Sequence, residues 1–295
     1  MIDHSKQRDW PEGTPTGHTP YSAWLKTEEL HALQQPVGDH PGEFGFIVTA
    51  QVSELYWMLI VREIQTAQVQ LRANNLRDAY KTLKRVVAHH APLNATWKSI
   101  AWMTPNDLLS MLSQVVAKHG QDTALQGWTY RHMVYLLGIK QDEHLLHFEP
   151  QAHRHEQLKS ALVEPSLYDD VLAFLARQGF TVPGSVLERD FCAPYVPSQE
   201  IDALWHEIYA DETRHVELQQ LGETLTDIAE EFTNWKYFHL MATRRTLGTR
   251  PAYFGKEGIE WLVPTLEEFP FPELWTARSV IGNPPAVCQH HKGAK

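Results

Sequence analysis

The chain of 295 residues is expected to fold as an all-α bundle. Three observations carry this: long stretches with apolar residues spaced by three and four, almost no strand alternation, and Pro and Gly punctuation between the stretches. Residues 1–20 are polar, with Pro11, Pro15 and Pro20 among glycines, and read as an irregular arm. The first long helix is "EFGFIVTAQVSELYWMLIVREIQTAQVQLRAN" (43–74), apolar on most of its face and so largely buried. Helices at 76–90, 105–116, 124–138, 155–162, 167–178, 200–247 with a break, and 256–266 follow. "TPND", "PSLYDD" and "QGFTVPGS" punctuate them. Helix after helix with short connections describes a helical bundle. A single domain over 21–283 and a flexible tail over 284–295 complete the organisation.

Composition narrows the function. A formal charge of −10 with no long basic run argues against a nucleic-acid surface. No apolar run of 18 residues stands out, so no membrane span is expected. The N-terminus lacks the apolar segment of a signal peptide, which points to the cytoplasm. Cys192 and Cys288 are the only cysteines and lack metal-ligand spacing, and the 17 histidines form no compact metal motif. Ten Trp, eleven Phe and ten Tyr suit either a large apolar pocket or a core.

One histidine stands apart. Leu218, Leu221, Leu225, Ile228, Phe232, Trp235, His239, Ala242 and Thr246 recur at spacings of three and four, so His239 lies on the buried stripe of its helix. Burying an imidazole costs free energy unless its nitrogens find partners. From periodicity alone, His239 is either a satisfied core histidine or an axial ligand to haem iron.

The surrounding words extend the reading. "FIVTAQVSEL" (46–55), "NWKYFHLMATRRTLG" (234–248) and "FPELWTARSVIG" (271–282) resemble the tryptophan 2,3-dioxygenase family in order and register. So do "YSAWLKTEELHALQQP" (21–36), "YRHMVYLLG" (130–138) and "LVEPSLYDDVLAFLARQGF" (162–180). The resemblance spans roughly residues 20–283. It implies an all-α haem domain assembled as a homotetramer, with His239 as the proximal ligand of haem b. No CxxCH word is present to attach the cofactor covalently. The resemblance also places Trp97 and Ile100 beside the haem and Phe46 against the substrate. Tyr21, Trp24 and Leu25 match a helix that reaches into a neighbouring subunit's pocket; read from the residues alone, they equally form a core face.

Three positions depart from the family. Ala50 stands where the family carries a distal histidine that contacts the indole N–H. Counting from Thr104 and Pro105, Leu112 takes the place of the arginine that clamps the substrate carboxylate. Tyr253, in "TRPAYFGKEG" (249–258), stands at the position of a threonine that holds the amino-acid head group. Losing a bidentate ion pair in a desolvated pocket costs about 3–5 kcal/mol, so the chain is expected to be a poor tryptophan dioxygenase.

A replacement distal group is sought in His89 and His90. Tyr80, Leu83 and Val87 mark an apolar stripe that His90 continues, with Trp97 one heptad further. Pro92 allows a kink that would bring His89 inward instead. Two partly exposed histidines near a helix end are the plain alternative. Arg131 is expected to pair with a buried carboxylate such as Glu54 rather than join the site.

A retained proximal histidine with a displaced distal one resembles the histidine-ligated haem L-tyrosine hydroxylases that serve natural-product biosynthesis. That pattern implies ring hydroxylation of L-tyrosine to L-DOPA, with hydrogen peroxide or dioxygen as oxidant. A histidine-ligated haem lacks the strong push of a thiolate, so a distal acid–base group must carry a proton to the leaving oxygen. The rival expectations are dioxygenation of tryptophan or a modified indole, and a haem-binding protein without turnover.

Overall fold

In a computed structural model, residues 12–120, 123, 126–211, 213–250 and 259–279 are described. Among them the chain is all helix and connection, as its periodicity predicts. Two short helices, α1 (Pro20–Leu25) and α2 (Thr27–His31), lead into α3 (Glu43–Arg72) and α4 (Leu76–Ser99). Then come α5 (Pro105–His119), α6 (Trp128–Leu136), a 3-10 segment (Asp142–Phe148), α7 (Ala152–Val163) and α8 (Leu167–Arg177). The last are α9 (Gly184–Leu187), α10 (Gln199–Ala210), α11 (Val216–Leu247), α12 (Ile259–Thr265) and α13 (Pro272–Ala277).

Local chemistry sets several starts. Thr19, Thr104 and Ser166 each accept a backbone N–H three residues on, and Ser22, Asp107 and Asp169 return the bond. Pro20 and Pro105 open their helices, where the missing N–H is not needed. The expected break within 200–247 falls between α10 and α11. There Asp211 Oδ1 accepts from the backbone N–H groups of Thr213 (3.1 Å) and Arg214 (3.0 Å), which tightens the chain into a turn.

The largest difference from expectation is α4. It continues nine residues past His90, through Pro92, to Ser99. An interior proline removes one hydrogen bond and costs about 3 kcal/mol. Packing outweighs this, because α4 buries Leu83, Val86 and Leu93 in the main core.

Helices α3 and α4 form an antiparallel pair, fastened by Thr49–Ser99 (2.8 Å), Ser53–Thr96 (3.3 Å) and the Arg85–Glu63 ion pair. Helix α11 runs along α4, with Asn94 Nδ2 donating to the Glu231 carbonyl at 3.1 Å. Asp170 of α8 receives Gln68 and a bidentate Arg72 from α3, and Arg189 clamps buried Asp169 at 2.8 and 2.9 Å.

By length and composition α3 is apolar enough to cross a membrane, contrary to the expectation of no such stretch. Its apolar residues are divided between several neighbours. Ile60, Ile64 and Leu71 enter the core, while Phe44, Leu55 and Met58 are exposed. The helix also carries Ser53, Glu54 and Gln68 as buried or half-buried polar side chains.

Candidate haem and substrate cavity

A cavity of about 460 Å³ opens among α3, α4, α5, α6, α11 and α12. Its size and largely apolar lining suit a cofactor or small-molecule site. Each wall is a helical stripe. Helix α3 contributes Phe46, Thr49, Ala50, Ser53, Glu54 and Trp57, which repeat at three- and four-residue spacing on one face. Helix α11 contributes Trp235, Lys236, His239, Ala242, Thr243 and Thr246 by the same rule.

His239 sits among aromatic rings. Trp97 stacks on it with ring centroids 5.1 Å apart and planes 14° from parallel, and Trp235 lies at 5.4 Å. Burial pushes the imidazole pKa down to about 4, so the ring is neutral at physiological pH. Its only interactions among the described residues are these ring contacts. A neutral imidazole with its lone pair uncommitted is what an iron ligand requires.

Trp235 links His239 to a second aromatic group, lying 4.9 Å from Tyr130 and 5.5 Å from Trp57. The indole N–H groups of Trp57, Trp97 and Trp235 are buried without a hydrogen-bond partner. Orphaned buried donors are costly; the three indoles come from α3, α4 and α11, and all three residues border the cavity. Burial also raises the Glu54 pKa, partly offset by the hydrogen bond it accepts from Thr129 Oγ1 at 2.6 Å. Lys236 donates to the carbonyls of Thr265 and Glu268, and burial lowers its pKa to about 8. The lining therefore fits haem: one neutral imidazole, flat aromatic walls, and the cationic side chains Arg131, Lys236 and Arg245 on its border.

The residues singled out in the sequence divide into three groups. Phe46, Ala50, Trp97, Ile100, Leu112 and His239 all border the cavity. Tyr253 lies outside the described residues. Tyr21, Trp24 and Leu25 do not border it in this chain and are 65, 79 and 41% exposed.

Neither His89 nor His90 borders the cavity. The stripe does turn His90 inward, as predicted, but into the core. Its Nδ1 lies 2.9 Å from the Val86 carbonyl, and its Nε2 is buried without a partner. Seven residues separate it from Trp97, about 10 Å along the helix axis. His89 is half-buried. Arg131 borders the cavity, with its guanidinium 5.5 Å from the Tyr130 ring and 6.0 Å from Trp261. Trp57, Glu54, Tyr130 and Lys236 also line the cavity without having been singled out for the site. Glu54 and Trp57 were discoverable, because they extend the Phe46–Ala50 face by one and two turns respectively.

Comparison with known proteins agrees with this construction. The family model described as tryptophan 2,3-dioxygenase matches residues 6–162 and 197–281. A protein named tryptophan 2,3-dioxygenase from Caulobacter vibrioides is 37% identical over 261 residues, covering 88% of this chain and 98% of that protein. Its namesake from Erythrobacter litoralis is 34% identical with the same coverage of both chains. A third, from Bacillus thuringiensis subsp. konkukian, is 32% identical over 88% of this chain and 92% of that protein. A helical fold, a cavity-bordering histidine and similarity over 88% of the sequence converge: the chain belongs to the tryptophan 2,3-dioxygenase family, whose members are haem-dependent oxidoreductases.

Proposed function

We propose that the protein is a haem-dependent oxygenase of an indole ring, acting on tryptophan or a modified tryptophan with dioxygen. The observation that carries this is the makeup of the cavity: an uncommitted His239 among aromatic walls, with no second histidine bordering it among the described residues. His239 would ligate the iron, and Trp97, Ile100 and Trp235 would flank the ring. When bound, the haem supplies the iron at which dioxygen is activated.

Proton economy separates this reading from its rival. Cleaving the indole C2–C3 double bond with dioxygen places both oxygen atoms in the product as two carbonyl groups. No net proton and no external electron are needed. Peroxide-driven hydroxylation of L-tyrosine to L-DOPA is also proton-neutral overall, but it must move a proton across the peroxide to the oxygen that leaves as water. His90 and His89 were the groups expected to do so, and both stand outside the cavity. The indole reading requires only that this chain orient the ring and exclude water. Phe46 and Ala50 on α3 and Ile100 beyond α4 supply apolar surface for that purpose.

The deciding assay uses haem-loaded protein with L-tryptophan, tryptophan derivatives or L-tyrosine, under oxygen after reduction or with peroxide. A product 32 mass units heavier than an indole substrate is expected. A hydroxylated tyrosine formed only with peroxide would replace this reading with tyrosine hydroxylation.

We further propose that copies assemble, as a homotetramer. Tyr21, Trp24 and Leu25 support this by presenting a contiguous exposed apolar segment. Light scattering should report a tetramer, and a fully active monomer would refute it.

A further inference from the structure

The cavity has two chemically different ends. From Phe46 to Trp57, α3 runs eleven residues, or about 16 Å. Trp57 has the Tyr130 and Trp235 rings each at 5.5 Å, Arg131 lies 5.5 Å from the Tyr130 ring, and Glu54 stands one turn before Trp57 on α3. His239 is joined to that group through Trp235. At the other end the lining is Phe46, Ala50, Ile100, Met103, Leu108 and Leu112.

This second end is a packed hydrocarbon wall. Met103, Met111 and Leu112 are 3, 1 and 6% exposed and form their own apolar cluster, against which Phe46, Ile100 and Leu108 pack. Three lining hydroxyls are committed to the backbone: Thr49 Oγ1 donates to the Gly45 carbonyl at 2.8 Å, Thr96 Oγ1 to that of Leu93 at 2.7 Å, and Thr246 Oγ1 to that of Ala242 at 2.8 Å. Arg245 borders the cavity from α11 but is exposed, so water and salt screen its attraction for an anion. Among the described residues, a carboxylate pressed against this wall would lose its hydration and gain no buried donor. An amide, an ester or a bare alkyl group meets no such penalty.

From this lining we infer that the substrate presents an uncharged group to the Leu112 end, and that the enzyme selects indoles without an ionised carboxylate. This rests on the cavity being the substrate site of the proposed indole oxygenase. Leu112 is then the specificity-determining residue, because it is the buried wall position from which a cation would change the choice.

The test measures binding by isothermal titration on the haem-loaded protein, using L-tryptophan, L-tryptophanamide and 3-methylindole. The amide and 3-methylindole should bind at least about tenfold more tightly than the acid, since a site without partners for a charge discriminates strongly against it. In Leu112→Arg the preference between acid and amide should invert. The wild-type comparison stands even if that variant fails to fold. Equal or tighter binding of the acid by the wild type overturns the inference, whether or not Arg245→Ala removes that binding. The same comparison with L-tyrosine and L-tyrosinamide separates the two claims. If only phenols bind, the indole reading fails, while preference for tyrosinamide supports an uncharged head group and preference for tyrosine overturns it. No binding in either series overturns both.

Discussion

Replacing His239 with alanine is expected to strip the protein of tightly held haem while leaving its helices intact. The ring provides the neutral nitrogen of the cavity, with its pKa pushed to about 4 by burial and no hydrogen bond competing for the lone pair. Groups that merely support a ligand typically cost 10–100-fold in affinity or activity when removed, so losing the ligand itself should exceed about 100-fold. The Soret absorbance after purification measures the loss, and far-ultraviolet circular dichroism checks the fold. Free imidazole added to the variant should restore part of the haem spectrum, since it can occupy the space the side chain leaves beside Trp97. Wild-type haem content and spectrum in His239→Ala would make His239 a core histidine and remove the basis for the proposed chemistry.

The second large effect concerns acid stability and belongs to His90. Complete burial pushes its pKa down to about 4 from an ordinary 6.5, with the Val86 carbonyl opposing the shift and His89 adding to it. The unfolded chain takes up a proton as the pH falls through about 6.5, whereas the folded chain resists until about 4. The stability that His90 permits is therefore whole above that upper value. It declines through the interval and is lower by about 3 kcal/mol at its bottom. His132, His144 and His239 are also lowered by burial, so the wild type should lose stability steeply over the same range. His90→Leu should remain close to the wild type at pH 7.5 and gain about 2–3 kcal/mol relative to it near pH 4.5. Urea midpoints at the two pH values measure the difference, and parallel losses in both proteins would show that His90 does not carry the acid response.

The same histidine shows where a sequence is legible and where it stops being so. Periodicity placed His90 on the inward face of α4 correctly, because a helix fixes direction around its axis. It could not say how far along that axis the cavity begins, since position along a buried stripe depends on what the neighbouring helices contribute. The choice between core and cavity was made by Trp97 and Trp235, from two different helices. His239 was easier to read, because its cavity neighbours Trp235, Ala242 and Thr246 share its own helix and stripe. Ala50 and Leu112 became informative only against the family pattern, as apolar residues where polar ones were expected. Arg131 was harder to place, because a buried arginine satisfies the same local rules whether or not it borders a cavity. The end of α4 was misplaced for a related reason: Pro92 is a local stop signal, and packing on both sides of the helix overrides it.

Pro92 has one more consequence. It divides α4 into a lower half that holds Leu83 and Val86 in the core and an upper half that carries Thr96 and Trp97 to the cavity. With no amide proton at the junction, the regular ladder is interrupted between the halves. Their backbone openings are therefore free to differ in free energy, as separately cooperative pieces of one structure commonly do. Hydrogen–deuterium exchange should find amides beyond the proline less protected than those before it in the cofactor-free protein. Filling the cavity should then slow exchange in the upper half alone, making this segment of α4 a reporter of occupancy that needs no colour from the cofactor.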